Sequence, residues 1–129
     1  WQTPVTPSIP HMYGIAHVIK RIEEEGLDNR WERHLLSASI AQDWAKDHGQ
    51  ELFPENNCLS STITCVKNVQ NWDINAINDK LLERGFRMDR GYGKLRGEAF
   101  RIAHMGNVFP DDLTEYLHEF DIVLQELNN

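Results

Sequence analysis

Three glycines, Gly26, Gly49 and Gly85, each close a stretch whose apolar residues recur at helical spacing, and they cut the chain into helices of set length. Glycine enters the left-handed backbone region at little cost, so a glycine just past the last periodic residue stops a helix. Before Gly26 the repeat is Ile9, Met12, Tyr13, Ala16, Ile19 and Ile22. Between Gly26 and Gly49 a helix is expected from about Asp28 to His48, with Trp31, Leu35, Ala38, Ala41 and Ala45 along one side. A short turn joins these two helices, so antiparallel packing is expected. Before Gly85, Asp73 is placed to cap a helix that turns Ile74, Ile77 and Leu81 inward. A last helix should open at Pro110, with Asp111 and Asp112 in its first turn and a stripe of Leu113, Tyr116, Phe120, Val123 and Leu127.

The segments between the helices read as strands. "STITCVK" (61–67) is rich in β-branched residues, and "ELFP" is a shorter candidate. "RMDRGYGK" begins extended and turns at Gly91 and Gly93, and a further strand spans 99–104. The order helix, helix, strand, strand, helix, strand, strand, helix implies an α+β fold, a small mostly antiparallel sheet with helices packed on one face. Residues 1–10, "WQTPVTPSIP", carry three prolines and form an extended leading segment, so the domain proper is expected over 11–129. The chain starts at Trp1 rather than methionine, which suggests a fragment of a longer protein whose other domain the leading segment connects to.

Composition narrows the function classes. A formal charge of −7 argues against non-specific nucleic-acid binding, which needs a basic surface. No apolar run approaches the roughly 20 residues of a membrane helix. Two cysteines, Cys58 and Cys65, make no disulfide framework for 129 residues, and a reduced, cytoplasmic home is expected. His11 and His17 stand six apart on one helix, on different faces, and His34, His48, His104 and His118 lack ligand spacing, so no metal site is expected.

Arg101 is the residue most in need of explanation. Phe100 and Ile102 point to one face of their strand and Arg101 to the other, between the small Ala99 and Ala103. It is either a solvated strand residue or a rigidly mounted fork that grips a carboxylate with a charge that never titrates away. Thr3 and Thr6 of "TPVTP" carry a similar pair of readings. Thr6 followed by Pro7 would start the first helix, while two hydroxyls three residues apart could donate to an oxyanion such as phosphate. Lys94 and Arg96 read as solvated turn residues.

The blocks "EEGLDNRWERH" and "GYGKLRGEAFRIAHMG", with "TPVTPSIP" and the last helix, resemble the C-terminal small domain of class V, fold-type I aminotransferases that use pyridoxal phosphate. The resemblance is to the alanine–glyoxylate and serine–pyruvate group, which includes proteins labelled soluble hydrogenase subunit, and it covers essentially the whole chain. It implies that Arg101 holds the carboxylate of the amino-acid or oxo-acid substrate. It also implies that Thr3 and Thr6 reach the cofactor phosphate across a homodimer interface, and that a missing N-terminal large domain covers the second sheet face. Ala103 stands where the family often has glycine. None of Lys20, Lys46, Lys67, Lys80 and Lys94 lies in the serine- and lysine-rich context of the family's cofactor-anchoring lysine, so the chain alone is expected to be inactive. Two other readings stay open: a free-standing α+β module that binds carboxylic acids, and a class V member with another reaction, such as a lyase. Cys58 and Cys65 sit in no recognisable catalytic loop, which argues against a desulfurase.

Overall fold

A computed structural model describes residues 4–128, which form helices α1 (Ile9–Glu25), α2 (Leu27–Asp47), α3 (Ile74–Glu83) and α4 (Pro110–Leu127). Strands β1 (Glu51–Leu52), β2 (Ile63–Lys67) and β3 (Ala99–Ala103) make an antiparallel sheet in the order β1-β2-β3. The chain divides into two compact units, Trp1–Glu32 and Arg33–Asn129.

In the first unit α1 ends where the sequence requires. Gly26 takes φ +84° and its N–H donates to the Ile22 carbonyl at 2.9 Å. The helix begins two residues later than a cap at Thr6 would put it: Ser8 is the residue at the cap position, and its Oγ lies 2.6 Å from His11 Nδ1. The local reading of Thr6–Pro7 as cap and first helical residue is therefore wrong. α1 has no buried residue, so its apolar repeat is left uncovered.

The second unit holds the core. The register pairs Thr64 with Ile102 and Val66 with Phe100, and these four residues are buried on one sheet face. Against them pack Ala41, Trp44 and Ala45 of α2, Ile77 and Leu81 of α3, and Leu113, Phe120 and Val123 of α4. Trp44, Trp72, Phe100 and Phe120 form an aromatic knot, with the Trp44 and Phe120 centroids 4.9 Å apart in an edge contact. Trp44 Nε1 donates to Asp121 Oδ1 at 2.8 Å, so its one polar atom is satisfied. α3 is capped as expected: Asp73 accepts from the N–H groups of Asn75 and Ala76. At α4, Asp112 accepts from the Phe109 N–H at 2.8 Å.

The differences are local. Trp31 and Leu35 are exposed, and α2 instead buries Ser37 and Trp44 beside its alanines. On α4, Leu117 and Leu124 are buried beside the expected stripe, Tyr116 packs half-buried against the core, and Leu127 is exposed. The fourth strand shrinks to a single bridge between Asp89 and Arg101, because the Asp89 side chain accepts from the Gly91 N–H at 3.0 Å and turns the chain there.

Candidate functional site

The outer face of the sheet carries Cys65 and Arg101 as direct cross-strand partners. Arg101 is half-buried, and its side chain is already engaged: Nε donates to Asp89 Oδ1 at 2.9 Å and Nη2 to Asp89 Oδ2 at 2.5 Å. That is a two-bond grip on a carboxylate, along one edge of the guanidinium. Hydrogen bonding from Arg101 holds the Asp89 carboxyl below its ordinary range, and Asp89 in turn raises the guanidinium. Burial pushes the Cys65 thiol up, so it is no ready nucleophile.

Asp89 reaches Arg101 because the backbone around it is fixed. The Arg101 N–H approaches the Asp89 carbonyl at 3.4 Å, and Gly97 N donates to Arg90 O at 3.1 Å across the neck of the loop. Gly91, at φ +79°, lets the loop close onto β3: a Cβ there would lie 2.4 Å from the carbonyl oxygens of both Leu95 and Ala99. The turn covers Ala99, which is buried although it lies on the outer face. Around the ion pair opens a cleft of about 660 Å³, whose wall includes Arg87, Arg90, Arg96 and Tyr92. Four arginines against one aspartate give this cleft a positive balance in an otherwise acidic chain.

A second cluster ties the distant parts of the sequence together. Arg33 donates from Nη1 to the Val108 carbonyl at 2.8 Å and from Nη2 to the Gly106 carbonyl at 3.0 Å, and its guanidinium stacks 4.5 Å from the centre of the Phe109 ring. The next residue, His34, is buried, as is His104. Burial lowers His104 below the ordinary imidazole range, and His34 adds to this by like-charge repulsion. Thr64 Oγ1 lies 2.9 Å from His104 Nε2. Arg33 and the residues just beyond β3, 73 positions on, therefore meet in space.

Of the candidate residues, Arg101 lies on the cleft wall, while Thr6 lies in the segment before α1 and is exposed. Thr3 lies outside the described residues. Lys94 and Arg96 are exposed in the glycine-rich turn. Sequence reading missed Asp89 and Arg33. The signal for Asp89 was available, since an aspartate two residues before a glycine commonly folds its carboxylate onto that glycine's N–H. Among the described residues no group of three or more His, Cys, Asp or Glu side chains is placed to hold a metal, and no helix is long and apolar enough to cross a membrane.

No protein-family model matches the chain. It is similar to an uncharacterized aminotransferase of Methanocaldococcus jannaschii, 29% identical over 127 residues, which are 98% of this chain and 33% of that protein. It is also similar to the serine–glyoxylate aminotransferase of Arabidopsis thaliana, 29% identical over 96% of this chain and 31% of that protein. The crystal structure of the ureidoglycine–glyoxylate aminotransferase from Bacillus subtilis superposes with a TM-score of 0.85 at 27% identity, over 97% of this chain and 33% of that one. The chain thus spans about a third of the length of the curated relatives it matches.

Proposed function

We propose that this chain, whose homologues are class V aminotransferases matched over a C-terminal part, is the C-terminal domain of a pyridoxal-phosphate-dependent aminotransferase. The reaction moves an amino group from a small amino acid, serine or alanine, to glyoxylate or pyruvate. Arg101 is the residue that binds the substrate carboxylate. The observation that carries this reading is its place on the wall of an arginine-rich cleft, mounted on a stiff strand of the outer sheet face. Thr6 and Thr3 would donate to the cofactor phosphate in the partner subunit of a homodimer. The exposure of Thr6, and the location of the α1 cap at Ser8, support this, because the hydroxyl is not used to start the helix. When bound, the cofactor supplies the electron sink for the transfer, and the anchoring lysine comes from a large domain outside this chain. Two unpaired thiols, Cys58 and Cys65, suit a reducing cytoplasm.

The test is Arg101→Lys in the full-length, cofactor-loaded parent protein, which keeps the charge and removes the fork. kcat/KM for alanine should fall by about 10- to 100-fold, with cofactor content unchanged, while a carboxylate-free amine is affected little. Equal losses on both amines would mean that Arg101 supports the fold and does not hold substrate.

A further inference from the structure

We infer that Asp89 is the positioning residue for Arg101, fixing the guanidinium by its Nε–Nη2 edge so that the Nη1–Nη2 edge is left to take the substrate carboxylate. This inference rests on Arg101 being the substrate clamp.

A guanidinium has five N–H donors, and Asp89 takes two of them, both along one edge. Three donors remain, enough for a second bidentate contact along the adjacent edge. A single long side chain on a half-exposed strand position would sample many rotamers, and ordering it at the moment of binding weakens affinity. Asp89 removes that freedom in advance.

The alternative is that Asp89 is a stand-in occupant of the fork, which substrate must displace. Its anchoring speaks against this. Asp89 Oδ1 also accepts from Gly91 N at 3.0 Å, and its backbone is bridged to Arg101. Displacing it would break the turn that only a glycine at 91 permits. A second carboxylate beside Asp89 meets like-charge repulsion. Arg87, Arg90 and Arg96 on the cleft wall oppose that repulsion, and Arg90 is held in place by Asn75 Oδ1 at 3.1 Å.

The experiment compares Asp89→Asn, Asp89→Leu, Arg101→Lys and the double variant Asp89→Asn/Arg101→Lys in the full-length, cofactor-loaded parent protein. The readouts are steady-state kinetics with alanine and calorimetric titration of pyruvate. Asp89→Asn keeps the shape but offers one acceptor where two are needed. It should raise KM for alanine and weaken pyruvate binding by about 10-fold, with kcat changed by less than about twofold. Asp89→Leu should do more. On the Arg101→Lys background the same change should add less than about twofold, because the two residues act as a unit. Thermal melting of each variant registers any global loss separately. Tighter pyruvate binding by Asp89→Asn would identify a competitor and overturn the inference, as would an unchanged KM or an undiminished effect on the Arg101→Lys background. If Arg101→Lys itself leaves KM and pyruvate affinity intact, the clamp reading fails first, and the inference goes with it.

Discussion

Arg33 of α2 and Gly106, just beyond β3, are 73 residues apart in sequence and joined by a 3.0 Å hydrogen bond from guanidinium to carbonyl. With the companion bond to Val108 and the stacking on Phe109, this contact pins the exit of β3 against α2. Gly106 lies five positions after Arg101, so the pin holds the strand that carries the site.

Arg33→Ala should therefore cost stability and not only charge. Two charge-assisted bonds to carbonyl oxygens and a ring contact are lost, for a total of about 2 kcal/mol once water re-solvates the carbonyls. Urea denaturation should show a lower midpoint with an unchanged slope. Arg33→Lys should recover less than half, since an ammonium cannot reach both carbonyls in one plane. Equal stability of all three proteins would mean the contact is idle.

Gly91 and Gly93 offer a paired test of the loop. Both have positive φ, but an added Cβ at 91 meets two carbonyl oxygens at 2.4 Å, whereas at 93 it meets nothing within 4 Å. Gly93→Ala should cost about 1 kcal/mol, the backbone strain alone. Gly91→Ala should cost at least about 2 kcal/mol more, and should weaken pyruvate binding as well, because the turn that seats Asp89 must shift. Indistinguishable melting curves for the two variants would contradict the close approach described here.

Thr6→Ala should leave apo stability within about 0.5 kcal/mol of wild type, because Ser8 occupies the cap position of α1. Cofactor retention should drop by roughly 10-fold or more, the value of one hydrogen bond to a charged acceptor, and Thr3→Ala should follow with a smaller loss. Dialysis against a phosphate buffer, followed by absorbance at the cofactor band, measures both. A Thr6→Ala protein that melts early and keeps its cofactor would return the residue to a purely local role.

Much of this architecture is legible because glycine and aspartate act locally. Gly26, Gly49 and Gly85 stop helices through their own φ, and Asp73 caps through its own carboxylate, whatever packs around them. The alternation Phe100–Arg101–Ile102 likewise forces the arginine onto the outer face. What escaped was decided by long-range partners. Trp44 is buried against Phe120 of α4, and Ser37 is buried too, which a helical repeat alone does not reveal. α1 carries a clean stripe and buries none of it, because periodicity states which residues share a face and not what covers that face. The partner of Arg101 was missed for the same reason: twelve residues separate it from Asp89, and the glycine loop brings them together.

His104 supplies a pH dependence of determinate sign. Burial depresses its folded-state pKa, with His34 contributing, while the unfolded imidazole titrates near 6.5. As the pH drops through about 6.5 the unfolded chain takes up a proton that the folded chain resists, so stability falls and goes on falling until the folded pKa is reached. The slope from this one group reaches at most about 1.4 kcal/mol per pH unit. Asp89 acts in a lower window and in the same direction: its pKa is depressed, so its contribution is present above about pH 4 and is lost below it. The two effects therefore set in at different pH, that of His104 first as the pH falls. In His104→Gln the amide can still meet Thr64, which lies 2.9 Å from Nε2, but it cannot titrate. Urea midpoints between pH 7 and 5 should fall less steeply for this variant than for wild type. Parallel curves across the whole range would show that His104 takes up its proton in the folded state, and that its burial exerts no such control.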